Sequence, residues 1–252
     1  MESVNSTIRS QLGHRTIRQW TGEPLAGDTR EALLAVAART ASSTGMQQAG
    51  IIRITSPELR QGLAAIANQQ YLVEAPELWV FIVDTARGEA ILRERGVSGE
   101  GPASMDAFFQ GFTDACVMAQ NVVVAAESLG LGACYFGSIL NDCQAVIELL
   151  DMPQGTFPVV GLGIGEPAQD PQLKPRMPME LRVSENSYQR PPSWSEALRD
   201  YDEAMRTYYD LREPSRTVPA FTDQVVARMT NVNPKRAEIL RVIGQQGFDF
   251  RL

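Results

Sequence analysis

The sequence has a single histidine, His14, and only three cysteines, Cys116, Cys134 and Cys143. One imidazole cannot build a histidine-based zinc or iron site. The cysteines show neither CxxC nor metal-ligand spacing, so they read as reduced, partly buried thiols of a cytosolic protein. No G-x-S-x-G elbow occurs, and the lone histidine sits beside arginines that lower its value as a base. Hydrolase chemistry is therefore not expected. Basic charge is in deficit, with 23 Lys and Arg against 30 Asp and Glu, a net −7. That balance helps solubility and argues against a general nucleic-acid or anionic-membrane surface. Long uninterrupted apolar runs are also missing. The most apolar stretch, Ala107 to Leu129, carries Gln110, Asp114, Gln120, Asn121 and Glu127. Polar groups at that density are too costly in lipid, so the stretch reads as a buried helix. The N-terminal MESVNSTIRSQLGHR lacks an apolar core. No signal peptide is expected there, and the chain is read as cytoplasmic, without a membrane or nucleic-acid partner.

What is present is an ordinary globular composition, 44% apolar and 21% charged over 252 residues, enough to bury a real core. Asp28 followed by Glu31 has the spacing of a capping box, and the run TREALLAVAART predicts a helix with Leu33, Leu34, Val36 and Ala37 facing inward. GIIRIT at 50–55 predicts a short strand. Ser56-Pro57 starts a helix, with serine as cap and proline in its first position. LWVFIV at 78–83 is apolar throughout and predicts a strand buried on both faces. A helix over about 105–129 stops at Gly130. Strands follow at 134–136 and 157–164, with a short helix capped by Asn141 or Asp142 between them. A proline-rich stretch covers 167–178, and helices are expected at 195–211, 221–229 and 234–243. Helices alternate with few strands, which implies an α/β or α+β sandwich. The helical excursion beyond about residue 190 looks less like core.

Four segments could carry chemistry. In His14-Arg15-Thr16-Ile17-Arg18 the arginines are three apart, a spacing that shares a face on a helical turn. An arginine fork of donors matches phosphate oxygens. The bland alternative is a solvated basic turn. Lys174-Pro175-Arg176 is a second basic pair, stiffened by proline, or else a plain surface loop. Two such clusters in an acidic chain suggest one anionic ligand held from two sides. Ser42, Ser43 and Thr44 follow the first main helix, and their small hydroxyls could donate to phosphate or ribityl groups or simply serve a turn. Tyr135-Phe136-Gly137-Ser138 ends a strand, where ligands favour binding in such sheets. Gly161-Leu162-Gly163-Ile164-Gly165 is rejected as a dinucleotide loop, because Glu166-Pro167 follows where a helix must begin.

These segments, in this order, resemble the nitroreductase superfamily, in its oxygen-insensitive NADPH nitroreductase and flavin reductase branch. The resemblance is carried by HRTIR at 14–18, IIRIT at 51–55, ELWVF at 77–81, AAESLGLGACYFGSILND at 125–142, LGIGEPAQDPQLKPRMP at 162–178 and ENSYQ at 185–189. It implies an α+β nitroreductase-like sandwich, with a central, mostly antiparallel sheet flanked by helices. The whole chain, 1–252, would be one FMN-binding domain with a helical excursion at about 190–252. It implies a homodimer with FMN at the subunit interface.

By the same resemblance His14, Arg15, Thr16, Ile17 and Arg18 grip FMN, as do Lys174 and Arg176, with Ser42 and Ser43. Gln69, or Gln70 in the alternative register, meets the flavin ring, and Tyr135, Phe136, Gly137 and Ser138 lie beside it. NADPH is the implied co-substrate, its 2′-phosphate read by Arg212 and Arg216 after the Tyr208-Tyr209 pair. Arg236 is expected to reach the acceptor pocket of the partner, where Thr44 also contributes. The implied activity is a ping-pong two-electron reduction of nitroaromatics, quinones or free flavin. The rival readings are a dedicated flavin reductase, an ene-reductase or reductive dehalogenase on the same fold, and a flavin carrier without turnover. The sequence departs from the pattern at Thr16, Gly45-Met46, Ser138 and REPSRTVPAFT at 212–222, which bears on acceptor preference and on NADPH over NADH.

Overall fold

Four strands make one sheet: β1 (Ala49–Arg53), β2 (Glu77–Asp84), β3 (Gly132–Phe136) and β4 (Thr156–Gly165). Their order is β1-β2-β4-β3, and every neighbouring pair is antiparallel. The computed structural model describes residues 4–208 and 218–251. β2 is an inner strand and is buried from Glu77 through Val83, as its unbroken apolar run requires. Pro158 lies in the other inner strand, β4, where it cannot donate to a ladder. The register shifts at that point, between Phe81 and Ile82 of β2, which accommodates it.

The glycines of 161–165 pack under close neighbours. A Cβ at Gly165 would come 2.5 Å from Pro76, and one at Gly163 would come 2.9 Å from Phe136. They are glycines of β4, not of a dinucleotide loop.

Helices α1 (Ser6–Leu12), α2 (Gly27–Ala38), α3 (Pro57–Ala67), α4 (Ala86–Glu94), α5 (Met105–Ser128) and α6 (Cys143–Leu149) accompany the sheet. Ser56 caps α3 with Pro57 in the first turn, and Asp142 caps α6. The capping box at Asp28 does not form. α2 begins at Gly27, so Asp28 falls inside the helix, where its carboxylate accepts from the Thr29 N–H instead. Of that helix's four expected inward residues only Leu33 and Ala37 are buried. α5 is the spine, with Ala115, Ala119, Val122, Val123 and Ala126 fully buried.

The chain divides into two compact units, Met1–Gln169 with Asn233–Leu252, and Asp170–Val232. The second unit contains α7 (Trp194–Ala197), α8 (Arg199–Thr207) and α9 (Phe221–Thr230). The single helix expected at 195–211 is thus two, broken at Leu198. Buried Asp202 joins α8 to α9, accepting from Thr222 N at 3.0 Å and Thr222 Oγ1 at 2.6 Å. α10 (Pro234–Ala237) and α11 (Ile239–Gln245) belong to the first unit, where Val242 and Ile243 enter the core. Among the described residues no helix is long and apolar enough to cross a membrane.

Candidate functional site

Residues 14–18 are extended, not helical, so Arg15 and Arg18 do not share a helix face as their spacing suggested. The reason is a non-local pairing. Thr16 bridges Ala133 on the edge strand β3, and Ile17 N donates to Ala133 O at 2.9 Å. Ile17 is buried directly over Gly132, where a Cβ would meet it at 2.6 Å. The basic segment is therefore laid along the sheet edge with Ile17 as its anchor. His14 Nδ1 lies 2.5 Å from Glu127 Oε1 on α5. Arg15 is exposed and donates to Gly13 O at 3.3 Å. The Arg18 Nε is buried with no hydrogen-bond partner among the described residues. A buried, unmatched guanidinium donor is costly and marks a place where an acceptor is missing.

The serine loop is held by α5 as well. Ser43 N donates to Asp114 Oδ1 at 2.8 Å, Thr44 Oγ1 to Gln110 Oε1 at 3.4 Å, and Gln48 Nε2 to the same Oε1 at 3.1 Å. Ser42 and Ser43 are half-buried and Thr44 is exposed. Thr44 and Gln47 take positive φ, 50° and 53°, a strained conformation for side-chain-bearing residues.

At the other end of β3, Ser138 Oγ donates to Gln69 Oε1 at 2.7 Å. Gln70, the alternative register, is exposed and donates to Gln61. The Tyr135 hydroxyl donates to Gln120 Oε1 at 3.2 Å. Burial first, then the nearby Cys116 and Glu127, push its pKa well above the ordinary phenol value, so the hydroxyl stays protonated. Phe136 is fully buried against Tyr71, so only its backbone could serve a ligand, and the same holds for Ile17. Gly137 is exposed, with open space where a Cβ would stand. Arg236 donates to Gly137 O at 3.1 Å and to Asn141 Oδ1 at 3.4 Å, within its own chain. Its neighbour Lys235 pairs with Asp142.

In the second unit, Tyr201 donates to Pro175 O at 3.4 Å and Arg176 Nη1 to Lys174 O at 3.3 Å. Lys174 Nζ stands 6.0 Å over the Tyr208 ring. Tyr209, Arg212 and Arg216 lie outside the described residues.

The sequence reading missed the orienting residues. Gln110, Asp114, Gln120, Asn121 and Glu127 served there only as an argument against lipid. In the structure Glu127 faces His14, Gln120 faces Tyr135, and Asn121 donates to Thr40 Oγ1 at 3.0 Å. The available signal was that polar groups in an apolar helix need partners.

The model of the nitroreductase family matches residues 12–166, and that of the nitroreductase family C-terminal domain matches residues 174–251. The chain belongs to the nitroreductase family. The chain is 38% identical over 249 residues to the oxygen-insensitive NADPH nitroreductase of Salmonella typhimurium, covering 98% of this chain and 100% of that protein. It is 32% identical to the NADPH-flavin oxidoreductase of Vibrio harveyi, over 97% of this chain and 98% of that one. Among solved structures, nitroreductase A from Vibrio parahaemolyticus superposes with a TM-score of 0.86 at 34% identity, over 98% of this chain and 99% of that one. The antiparallel sheet expected from the sequence is thus the sheet of a nitroreductase fold.

Proposed function

We propose that this chain is an FMN-dependent NADPH oxidoreductase that reduces nitroaromatics, quinones or free flavin, working as a cytoplasmic homodimer. The observation that carries the reading is the Arg18 guanidinium. It sits on a basic segment pinned to the edge strand, with its buried Nε still lacking an acceptor. A phosphate supplies acceptor oxygens and negative charge together. His14, Arg15, Thr16 and Arg18 are assigned to the phosphate end of FMN, joined by the hydroxyls of Ser42 and Ser43. The Gln69–Ser138 pair and the bare surface at Gly137 are assigned to the ring end. Lys174 and Arg176 are added on the family resemblance, which also leads us to take the whole chain as one functional domain.

FMN, when bound, supplies a centre that accepts a hydride and gives back two electrons. The chain's own residues bind, orient and neutralise charge, and none is needed as acid or base. Neutral Tyr135 presents no competing negative charge at the ring end. NADPH as donor rests on the names of the Salmonella and Vibrio harveyi relatives, with Arg212 and Arg216 assigned to its 2′-phosphate. Arg236 and Thr44 are assigned to the acceptor.

Homodimerisation is supported by exposed apolar residues on the outer side of α5 and at neighbouring helix ends: Phe109 at 62%, Val117 at 44%, Leu12 at 64% and Leu129 at 57%. The cytoplasmic placement rests on the reading of the three cysteines, which lack CxxC or metal-ligand spacing, as reduced thiols.

The purified protein is expected to be yellow and to bleach on NADPH addition. The double variant Arg15→Ala/Arg18→Ala should weaken FMN binding at least about hundredfold, from two charge-assisted hydrogen bonds lost. A colourless protein that ignores added FMN, or unchanged affinity in the double variant, sinks the assignment. Arg212→Ala with Arg216→Ala should lower kcat/KM for NADPH about tenfold or more and leave that for NADH near its starting value. Steady-state rates across acceptors separate nitroreductase from dedicated flavin reductase.

A further inference from the structure

We infer that Asp114 is a positioning residue for the cofactor loop, the central member of a polar frame that α5 presents to residues 40–48. The inference rests on the FMN reading above, and no part of the family resemblance assigned Asp114 a role.

Three side chains form the frame. Gln110, Asp114 and Asn121 recur at spacings that place them on one flank of α5. Each bonds a different point of the loop that leaves α2: Asn121 at Thr40 Oγ1, as well as at Val36 O in the last turn of α2 itself, Asp114 at the Ser43 N–H, Gln110 at Thr44 Oγ1 and the Gln48 side chain. Gly111 completes it. A Cβ there would stand 2.6 Å from Gln48 O, so the loop backbone rests directly on the helix.

Asp114 differs from its neighbours in burial and in cost. Its residue is 4% exposed, and its Oδ2 is buried with no partner among the described residues. A carboxylate kept in such a place is held against a desolvation penalty. What it gains is the Ser43 backbone N–H at 2.8 Å, just where the chain turns into positive φ at Thr44 and Gly45. Free of that bond, the loop would relax out of the left-handed turn and carry the Ser42 and Ser43 hydroxyls with it. Asp114 acts through the loop and touches no reacting atom.

The test compares wild type, Asp114→Asn and Asp114→Leu, each stripped of flavin. FMN affinity is read by fluorescence titration, and loop order by amide hydrogen exchange of the peptide covering 40–48. Asparagine keeps an oxygen for the Ser43 N–H, whereas leucine fills the space without one. Asp114→Leu should raise the FMN Kd about tenfold or more and speed exchange across 40–48. Asp114→Asn should stay within about threefold of wild type in both readouts.

A leucine variant that binds FMN like wild type with unchanged exchange overturns the inference. So does an asparagine variant that loses as much as leucine, since the carboxylate charge rather than the Ser43 bond would then matter. Should the leucine variant fail to fold, Gln110→Ala, at a half-buried position, is expected to speed exchange of the same loop and weaken FMN about threefold. No change there overturns the frame. A wild-type protein that takes up no FMN while 40–48 is well protected brings down the flavin reading and not the loop geometry.

Discussion

Glu77 shows how one residue can hold a sheet edge together electrostatically. It is 3% exposed, accepts from Arg53 Nε at 2.6 Å and Nη2 at 2.7 Å, and accepts from Trp79 Nε1 at 2.9 Å. Arg30 stands 3.7 Å away. Burial pushes its carboxyl pKa up, but the bonds from Arg53 and Trp79 and the charges of Arg53 and Arg30 outweigh burial, and the net shift is downward. A carboxyl whose folded pKa is depressed contributes stability above its unfolded value, near about 4.3. That contribution drains away as pH falls through the folded value. Glu77→Gln should therefore cost about 1–3 kcal/mol at pH 7, discounted because the Arg53 side chain is itself 41% exposed. Thermal unfolding of the two proteins should show a wide gap in Tm at neutral pH that closes below about pH 4. A gap that widens in acid would refute the sign.

At the scale of elements, the joint between the 14–18 segment and β3 is the sensitive one. Ile17 packs over Gly132 with no room for a methyl group. Gly132→Ala should cost about 1–3 kcal/mol of stability through overpacking. It should also lift the basic segment from the strand, so FMN affinity falls together with Tm. Calorimetry and flavin titration on the same sample check both. Gly155→Ala supplies the contrast. Its φ is +76° and its Cβ would meet Ala86 N at 3.0 Å, just before β4 and at the opposite end of that strand from Ile164, the partner of Ala133, so Tm should fall while the affinity of the folded fraction holds. α5 is the other element that matters. One flank holds the serine loop, and the opposite flank meets His14 through Glu127 and Tyr135 through Gln120. The strands and loops of the site are thus referenced to one rigid rod.

For the whole molecule, the outer face of α5 lies between those two flanks and exposes Phe109 and Val117 beside Asp106 and Thr113. A second copy seated there would put the dimer contact beside the site residues of each chain. Phe109→Asp should give a monomer in sedimentation velocity, from a charge placed in a desolvated contact. The same variant should lose much of its FMN, because site order and subunit contact then share one helix. A Phe109→Asp protein that sediments as a dimer would disprove this face as the contact.

Much of the fold was legible in the sequence, because those parts obey local rules. The unbroken apolar run of β2, the Ser56-Pro57 helix start, the stop at Gly130 and the proline after the 161–165 glycines each carry their own physical signature. The two basic clusters and the ordered motifs pointed to an anion site for the same reason, since donor chemistry is a property of residue type. Tertiary structure alone decided the rest. The conformation of 14–18 depends on a bond to Ala133, far along the chain, and a spacing rule for helices cannot foresee it. Asp28 became an ordinary first-turn residue because α2 begins at Gly27. The polar residues of α5 looked like mere exceptions in an apolar stretch. Only folding brought Thr40, Ser43, Tyr135 and His14 to them, and a hydrogen bond between distant residues has no period for a sequence to display.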